Sequence, residues 1–151
     1  MIPPTVADAV RELGEIVASA PARFASFTDA EAGEPLAPGK WSRKQILGHL
    51  IDSASNNHQR FVRATLAGEL IFPPYEQDGW VGVQAYADAP WERIVGLWTE
   101  YNRHLARLMA RIPAGRHAAL CVVEEKTPVT LEFLMRDYVR HLKHHLAQIN
   151  G

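Results

Sequence analysis

The chain has 151 residues, 47% of them hydrophobic and 22% charged, which predicts a single globular domain spanning residues 1–151. With 16 basic and 17 acidic side chains the formal net charge is -1, which argues against a nucleic-acid or acidic-membrane partner. Cys121 is the only cysteine, so no intramolecular disulfide can form, and the N-terminus lacks the basic and apolar regions of a signal peptide. No apolar run approaches the roughly 20 residues that span a bilayer. We therefore expect a cytoplasmic protein.

The first predicted helix begins after Pro3 and Pro4, and Pro21 ends or bends it. Its apolar positions follow helical spacing: Val6, Ala9, Val10, Leu13, Ile16, Val17 and Ala20. Residues 27–39 are rich in Gly, Pro and Ala, which indicates a connection within one domain.

The second predicted helix opens at Ser42, which forms a capping box with Gln45. An apolar stripe then runs to about Leu66, and Gly68 ends the helix. The stripe consists of Ile46, Leu47, Leu50, Ile51, Ala54 and Phe61.

Residues 69–87 form a long connection, too broken by glycines and by two prolines to predict a helix. Connections of this length are usually functional or cross from one end of a bundle to the other, so helices two and three are expected to run parallel. Three aromatic residues in it could line a binding pocket or simply cap the end of the bundle: Tyr75, Trp80 and Tyr86.

The third predicted helix starts at Asp88 and Pro90 and stops at Pro113, and Thr130 caps the fourth. Both helices carry an apolar stripe at helical spacing. Four amphipathic helices predict an all-α four-helix bundle, with short strands in the loops as the only further regular structure that the pattern allows.

Histidines distinguish the fourth helix. With about 100° between successive residues, His145 lies about 40° from His141 on the side that borders the core, whereas His144 lies about 60° away in the opposite direction. Two imidazoles at i and i+4 on one face can share a metal. The alternative is a solvated cluster in the last turns of a helix, where protonated histidine suits the helix dipole.

His49 is the candidate for a third ligand, because it borders the core on the second helix, although a lone core histidine is more often only hydrogen-bonded. Three neutral imidazoles and one open position are typical of catalytic zinc sites. A metal held there would activate a water or a thiol. The remaining histidines are interpreted as structural or solvated: His58, His104 and His117.

Further candidates surround this site. Asp52 and Asp137 could orient the imidazole rings, or could be surface carboxylates. Arg60 could bind an anionic substrate group, or could hold a loop or helix end by a salt bridge, which is the role we favour. Cys121 lacks a neighbouring Cys-His motif and is interpreted as a buried cysteine rather than a nucleophile.

The segments at residues 41–53 (WSRKQILGHLIDS) and 141–149 (HLKHHLAQI) resemble the DinB/YfiT-like superfamily of metal-dependent enzymes. The resemblance implies an up-down-down-up four-helix bundle and a metal, often zinc or nickel, whose three histidine ligands match His49, His141 and His145. Some relatives transfer a low-molecular-weight thiol such as bacillithiol, mycothiol or glutathione, and others are described as hydrolases. Many are homodimers.

Our first hypothesis is therefore an enzyme in which a divalent metal, zinc or nickel, activates a thiol or water for thiol S-transfer to, or hydrolysis of, a small molecule. The alternative is a non-catalytic, metal-binding dimeric protein of the DNA-damage-inducible or stress type. A third possibility is a helical domain whose histidines bind no metal.

Overall fold

The computed structural model describes residues 5–151, which form six α-helices and three short β-strands. In chain order these are α1 (Val6–Phe24), α2 (Asp29–Gly33), α3 (Arg43–Ala67), β1 (Glu69–Phe72), α4 (Gln77–Val83), α5 (Trp91–Arg111), β2 (Leu120–Val123), β3 (Val129–Thr130) and α6 (Leu131–Asn150). The long helices α1, α3, α5 and α6 are the four predicted from the sequence, and the all-α bundle is confirmed.

The helix starts predicted at Ser42 and Thr130 are satisfied by side-chain caps, whereas Pro90 at the start of α5 makes no side-chain cap. Ser42 Oγ accepts a hydrogen bond from the backbone N–H of Gln45 (3.3 Å), and Gln45 Oε1 accepts one from the Ser42 N–H (2.9 Å). Thr130 caps α6 by a single hydrogen bond, in which its Oγ1 accepts from the backbone N–H of Phe133 (3.1 Å). Such caps contribute about 1 kcal/mol each. Helix α1 begins behind Thr5, and the predicted Pro3–Pro4 start lies outside the described residues.

Helix α1 continues past Pro21 to Phe24. Pro21 lies near the end of the helix, where the missing N–H removes one hydrogen bond close to the terminus. The fully buried Phe24 ring packs edge-on against Trp91 and Trp98, at centroid distances of 5.7 and 5.4 Å. Tertiary packing of the last turn therefore outweighs the local cost of the proline.

The prediction that residues 69–87 contain no helix was wrong, because β1 and the two-turn helix α4 lie there. Helix α4 packs against α3, and this contact stabilises a segment whose two glycines disfavour a helix on their own. The allowed short strands are present. Strand β1 pairs in parallel with β2, and β2 pairs antiparallel with β3.

The small sheet shows how the helices run. Strand β1 follows α3 directly and β2 follows α5 after a 3-10 turn, so parallel pairing of β1 and β2 places the C-terminal ends of α3 and α5 at the same end of the bundle. Helices α3 and α5 are therefore parallel, as expected from the long connection. Around the bundle each of α1 and α3 packs between α5 and α6.

Each long helix buries one apolar face in a common core. The largest fully buried side chains are Phe24, Phe61, Trp98, Leu13, Leu47, Leu50, Leu105, Met109, Leu131, Met135, Leu142 and Ile149. None of the helices formed by residues 5–151 combines the length and apolarity needed to cross a membrane.

Candidate metal centre

The bundle brings the first turns of α3 next to the last turns of α6. Helix α6 starts beside the sheet, where α3 ends, so the two helices are antiparallel and their opposite ends meet. Arg43, the first residue of α3, donates from Nε to the carbonyl oxygen of Ile149 near the end of α6 (2.8 Å). This contact fixes the register in which His49 faces the C-terminal half of α6.

His49, His141 and His145 converge at this junction. The ring centroid of His49 lies 5.3 Å from that of His141 and 4.8 Å from that of His145, and the latter two are 4.5 Å apart. One nitrogen from each ring lies within 4.8 Å of the other two. His144 is exposed on the other side of α6, as its helical position predicts.

The unsatisfied atoms of the cluster fit a metal. His49 is only 1% exposed, and both of its ring nitrogens are buried without a hydrogen-bond partner among the described residues. The Nε2 atoms of His141 and His145 face each other at 3.1 Å, close to the roughly 3.3 Å that separates two nitrogens on a tetrahedral zinc ion. Buried donors and acceptors are rarely left unpaired, and a shared cation would satisfy all three rings.

Burial keeps these imidazoles neutral, which is the ligating form. It lowers the pKa of His49 to about 4, assisted by the neighbouring charges of His145 and His141. It lowers the pKa of His141 to about 4 as well, and that of His145 in the same direction. All three rings are therefore unprotonated at neutral pH and can donate a lone pair without first releasing a proton.

Gln148 orients His145 and was not singled out from the sequence. Its side-chain oxygen accepts a hydrogen bond from Nδ1 of His145 (2.8 Å), which leaves the lone pair on Nε2, the atom that faces His141. Metal-binding histidines commonly donate their second ring nitrogen in this way. The signal in the sequence was the i, i+3 spacing of Gln148 on the same helix.

The two acidic candidates have other hydrogen-bond partners. Asp52 is buried, and its Oδ1 accepts from Tyr86 Oη (2.7 Å) and Gln84 Nε2 (2.8 Å). Burial raises the pKa of this carboxyl group, and these two hydrogen bonds oppose the rise. Asp137 binds Arg140 (2.7 Å). Neither carboxylate forms a hydrogen bond to an imidazole among the described residues, so their orienting role stays a prediction.

A cavity of about 300 Å³ opens beside the histidines. Its lining residues come mainly from α3 and α6 and are His49, Ser53, Asn57, Arg60, Tyr75, Gln77, Glu124, Leu134, Asp137, Tyr138 and His141. A second cavity of about 420 Å³ lies on the His145 side and includes Trp41, whose ring centroid is 5.3 Å from that of His49. The histidine cluster is therefore reachable by a small molecule.

The aromatic residues of the long connection have different roles. Tyr75 lines the 300 Å³ cavity and packs against Trp80 at a centroid distance of 5.2 Å. Tyr86 is buried against Gly48 and holds Asp52. One ring thus lines a pocket, as one alternative predicted, and one stabilises the junction between the connection and α3.

The remaining candidates lie outside the centre. Cys121 is fully buried in β2, and burial raises the pKa of its thiol, which opposes a nucleophilic role. His58 bonds through Nδ1 to Tyr101 Oη (2.8 Å), and His104 is exposed beside it. These contacts agree with structural or solvated roles.

Comparison with known proteins identifies relatives whose names also indicate a metal-dependent protein. A family model described as the DinB superfamily matches residues 8–149. YfiT of Bacillus subtilis (strain 168), named as an inferred metal-dependent hydrolase, is 26% identical over 141 residues, which cover 93% of this chain and 79% of YfiT. A relative from Geobacillus thermodenitrificans (strain NG80-2) with the same kind of name is 26% identical over 142 residues, covering 93% of this chain and 78% of the relative.

The fold is similar to that of a solved structure. The structure of Bacillus subtilis YfiT superposes with a TM-score of 0.82 at 24% identity, covers 95% of this chain and 83% of YfiT, and is described as an unusual four-helix bundle topology. The topology derived above from the parallel pairing of β1 and β2 is consistent with that description. The chain belongs to the DinB superfamily.

Proposed function

We propose that the chain is a metal-dependent enzyme in which His49, His141 and His145 hold a divalent transition metal, zinc or nickel, that acts on a small molecule. The observation that carries this proposal is the convergence of three neutral imidazoles beside a cavity open to ligands, one of them with neither nitrogen hydrogen-bonded within residues 5–151. A purely structural metal site is usually closed by four protein ligands.

The number of ligands supports catalysis. Within residues 5–151 the cluster of side chains able to hold a metal contains three histidines and no fourth cysteine, histidine or carboxylate. A metal bound by three protein ligands would have a coordination position left for another molecule. A water or thiol bound at that position would have a lowered pKa and would therefore be a nucleophile near neutral pH.

The protein's own groups would do the remaining work. Gln148 holds the His145 ring in one tautomer. Asp137 lines the cavity beside His141, and its charge partly opposes the lowering of that histidine's pKa by burial. We propose it as the group that accepts the proton of the incoming nucleophile, which requires a base within hydrogen-bond reach. An Asp137→Asn variant should lose turnover while keeping its metal.

Hydrolysis and thiol transfer remain the two reaction types. The names of the relatives favour hydrolysis, and the family resemblance also includes transfer of a low-molecular-weight thiol. Assays of metal-loaded protein on ester and amide substrates, and on electrophiles with added bacillithiol, mycothiol or glutathione, would distinguish them. The resemblance further implies a homodimer, which light scattering after size-exclusion chromatography would test. We also propose a cytoplasmic location for the protein.

The first experiment is elemental analysis of protein purified without an affinity tag. The variants His49→Ala, His141→Ala and His145→Ala are compared with His144→Ala, a matched control on the exposed face of α6. We expect nearly one metal per chain in the wild type and the control, and loss of metal in the other three. Wild-type protein that lacks metal and takes up neither zinc nor nickel on titration would refute the proposal.

Metal uptake without turnover would support the alternative of a non-catalytic metal-binding protein. Uptake with turnover that depends on His49 would support the enzyme. Both outcomes include metal uptake and differ only in turnover, so metal content must be established before any substrate is tested.

A further inference from the structure

Arg60 has an unusual environment for an arginine. It is 8% exposed, its Nε is buried without a hydrogen-bond partner, and no carboxylate of residues 5–151 lies within 4.0 Å of it. Its guanidinium carbon lies 5.3 Å from the centre of the Phe72 ring. The salt bridge to a loop or helix end that the sequence favoured is therefore wrong for the described residues.

No carboxylate of residues 5–151 forms a salt bridge with Arg60, although the charge of Glu124 in the same cavity acts on it from a longer distance. Burial lowers the pKa of Arg60, but a guanidinium keeps its proton at neutral pH. Glu124 and Asp137 also line the cavity, yet Glu124 pairs with Lys126 (3.0 Å) and Asp137 with Arg140 (2.7 Å). A buried cation that has no salt bridge among the described residues is costly, which points to a counter-ion that comes from outside the chain.

The position of Arg60 links it to the candidate metal centre. His49 and Arg60 line the same cavity and are eleven residues apart on α3, so their backbones are roughly 16 Å apart along the axis. Helical side chains lean toward the N-terminus, which directs Arg60 back toward His49. Ser53 and Asn57 lie between them on the same face. A ligand that reaches both ends must be elongated.

We propose that Arg60 binds an anionic group, a carboxylate or a phosphate, at the far end of the small molecule on which the three-histidine site acts. This inference rests on the proposed function and adds a substrate class to it. The guanidinium offers planar, paired donors that match either anion. The reacting group lies at the histidine end of the cavity and the anion at the Arg60 end.

The test uses cobalt(II)-loaded protein and thiols as ligands, because cobalt(II) reports thiolate coordination by its absorbance and does not require turnover. Mercaptoalkanols of increasing length are compared with mercaptoalkanoates and mercaptoalkyl phosphates of the same length. The measured quantity is the dissociation constant of each thiol for the wild type, for Arg60→Met and for Arg63→Met. Arg63 is an exposed arginine on the same helix that pairs with Gln59 and lies outside the cavity.

We expect the wild type and Arg63→Met to bind the anionic thiols about ten- to a hundredfold more tightly than the neutral ones once the chain is long enough. Arg60→Met should bind all of them with the affinity of the neutral thiols. Comparing the affinities of the carboxylate thiols and the phosphate thiols shows which of the two anionic groups Arg60 binds. Arg60→Gln replaces Arg60→Met if circular dichroism shows that the latter is unfolded.

Equal affinity of neutral and anionic thiols in the wild type, or an anion preference that persists in Arg60→Met, would overturn the inference and leave the metal site intact. Failure of the wild type to take up cobalt(II), zinc and nickel alike is a different result, which refutes the proposed function and with it the role of Arg60.

Discussion

Replacing Gly48 by alanine tests how tightly the long connection is held against α3 next to His49. A Cβ built on Gly48 would lie 2.2 Å from Cδ2 and 2.3 Å from Cγ of Tyr86. The ring would have to move by about 1.2 Å to reach the 3.4 Å of ordinary van der Waals contact. Tyr86 is 7% exposed and its hydroxyl donates to Asp52 (2.7 Å), so a shift disturbs both packing and this hydrogen bond.

The expected cost follows from two opposing effects. Alanine in a helix interior is favoured over glycine by about 1 kcal/mol, whereas overpacking costs about 1–3 kcal/mol and a weakened hydrogen bond to a carboxylate adds about 1–2 kcal/mol. We expect Gly48→Ala to lower the free energy of unfolding by about 2 kcal/mol. Gly96 is a matched control, because it is also the sixth residue of its helix and a Cβ added there would meet no neighbouring atom of the described chain within 4 Å.

Urea unfolding followed by circular dichroism measures both variants. Gly96→Ala should be stabilised by about 0.5–1 kcal/mol, so the two alanine variants should differ by about 3 kcal/mol. In a Tyr86→Ala background the obstructing ring is gone, and Gly48→Ala should then stabilise as Gly96→Ala does. The packing argument is refuted if Gly48→Ala is as stable as Gly96→Ala in the wild-type background.

Three further predictions concern the candidate centre. In the metal-free protein the pKa of buried His49 is about 4 instead of 6.5, and that of His141 is also about 4, so the unfolded chain binds more protons between these values. Stability is full above pH 6.5, and as the pH decreases to 4 it should fall by at least the roughly 3 kcal/mol that corresponds to the shift of His49 alone. Urea titrations at several pH values measure this fall, and a flat profile would contradict the prediction. Gln148→Ala removes the oxygen that accepts a hydrogen bond from His145 Nδ1, so the affinity for zinc, measured by competition with a chelator, should fall about 10- to 100-fold. An unchanged zinc affinity would show that Gln148 does not orient His145. Arg60→Met should raise the free energy of unfolding of the ligand-free protein by roughly 1 kcal/mol, because it removes a buried charge that has no salt bridge among the described residues, and a destabilised variant would indicate a structural role instead.

The sequence was sufficient for features that depend on periodicity within one helix. The i, i+4 spacing of His141 and His145 and the placement of His144 on the opposite side follow from helix geometry alone. Capping by Ser42 and Gln45 is equally local, and it is present. These features could be predicted because no contact from another part of the chain decides them.

Features that depend on packing between distant segments could not be predicted. Helix α4 contains two glycines and forms because α3 supports it. The sequence left Asp52 as either an orienting group for an imidazole or a surface carboxylate, and could not identify the hydroxyl of Tyr86 as the donor that it accepts from in the interior. Arg60 lacks the expected salt bridge because the acidic residues nearest the cavity pair with other cations. In each case the partner is chosen by tertiary structure, about which local spacing carries no information.

The buried polar row on α3 connects these observations. His49, Ser53, Asn57 and Arg60 follow helical spacing and are 1%, 3%, 8% and 8% exposed, in positions that a bundle selected only for stability would fill with apolar residues. Asn57 satisfies its amide on the carbonyl oxygen of Ser53 in the same helix (2.9 Å). The two ends of the row have no such partner within the described residues.

One end of this row offers unprotonated nitrogen lone pairs and the other a permanent cation, and both face the same cavity. A divalent metal satisfies the first and an anion the second, so neither ligand can replace the other. A small molecule with a metal-ligating group at one end and a carboxylate or phosphate at the other satisfies both ends together when the metal is bound. Folding removes His49 and Arg60 from water, which costs free energy. Binding of the metal and of this molecule would give both side chains new polar partners and so offset that cost in the folded protein.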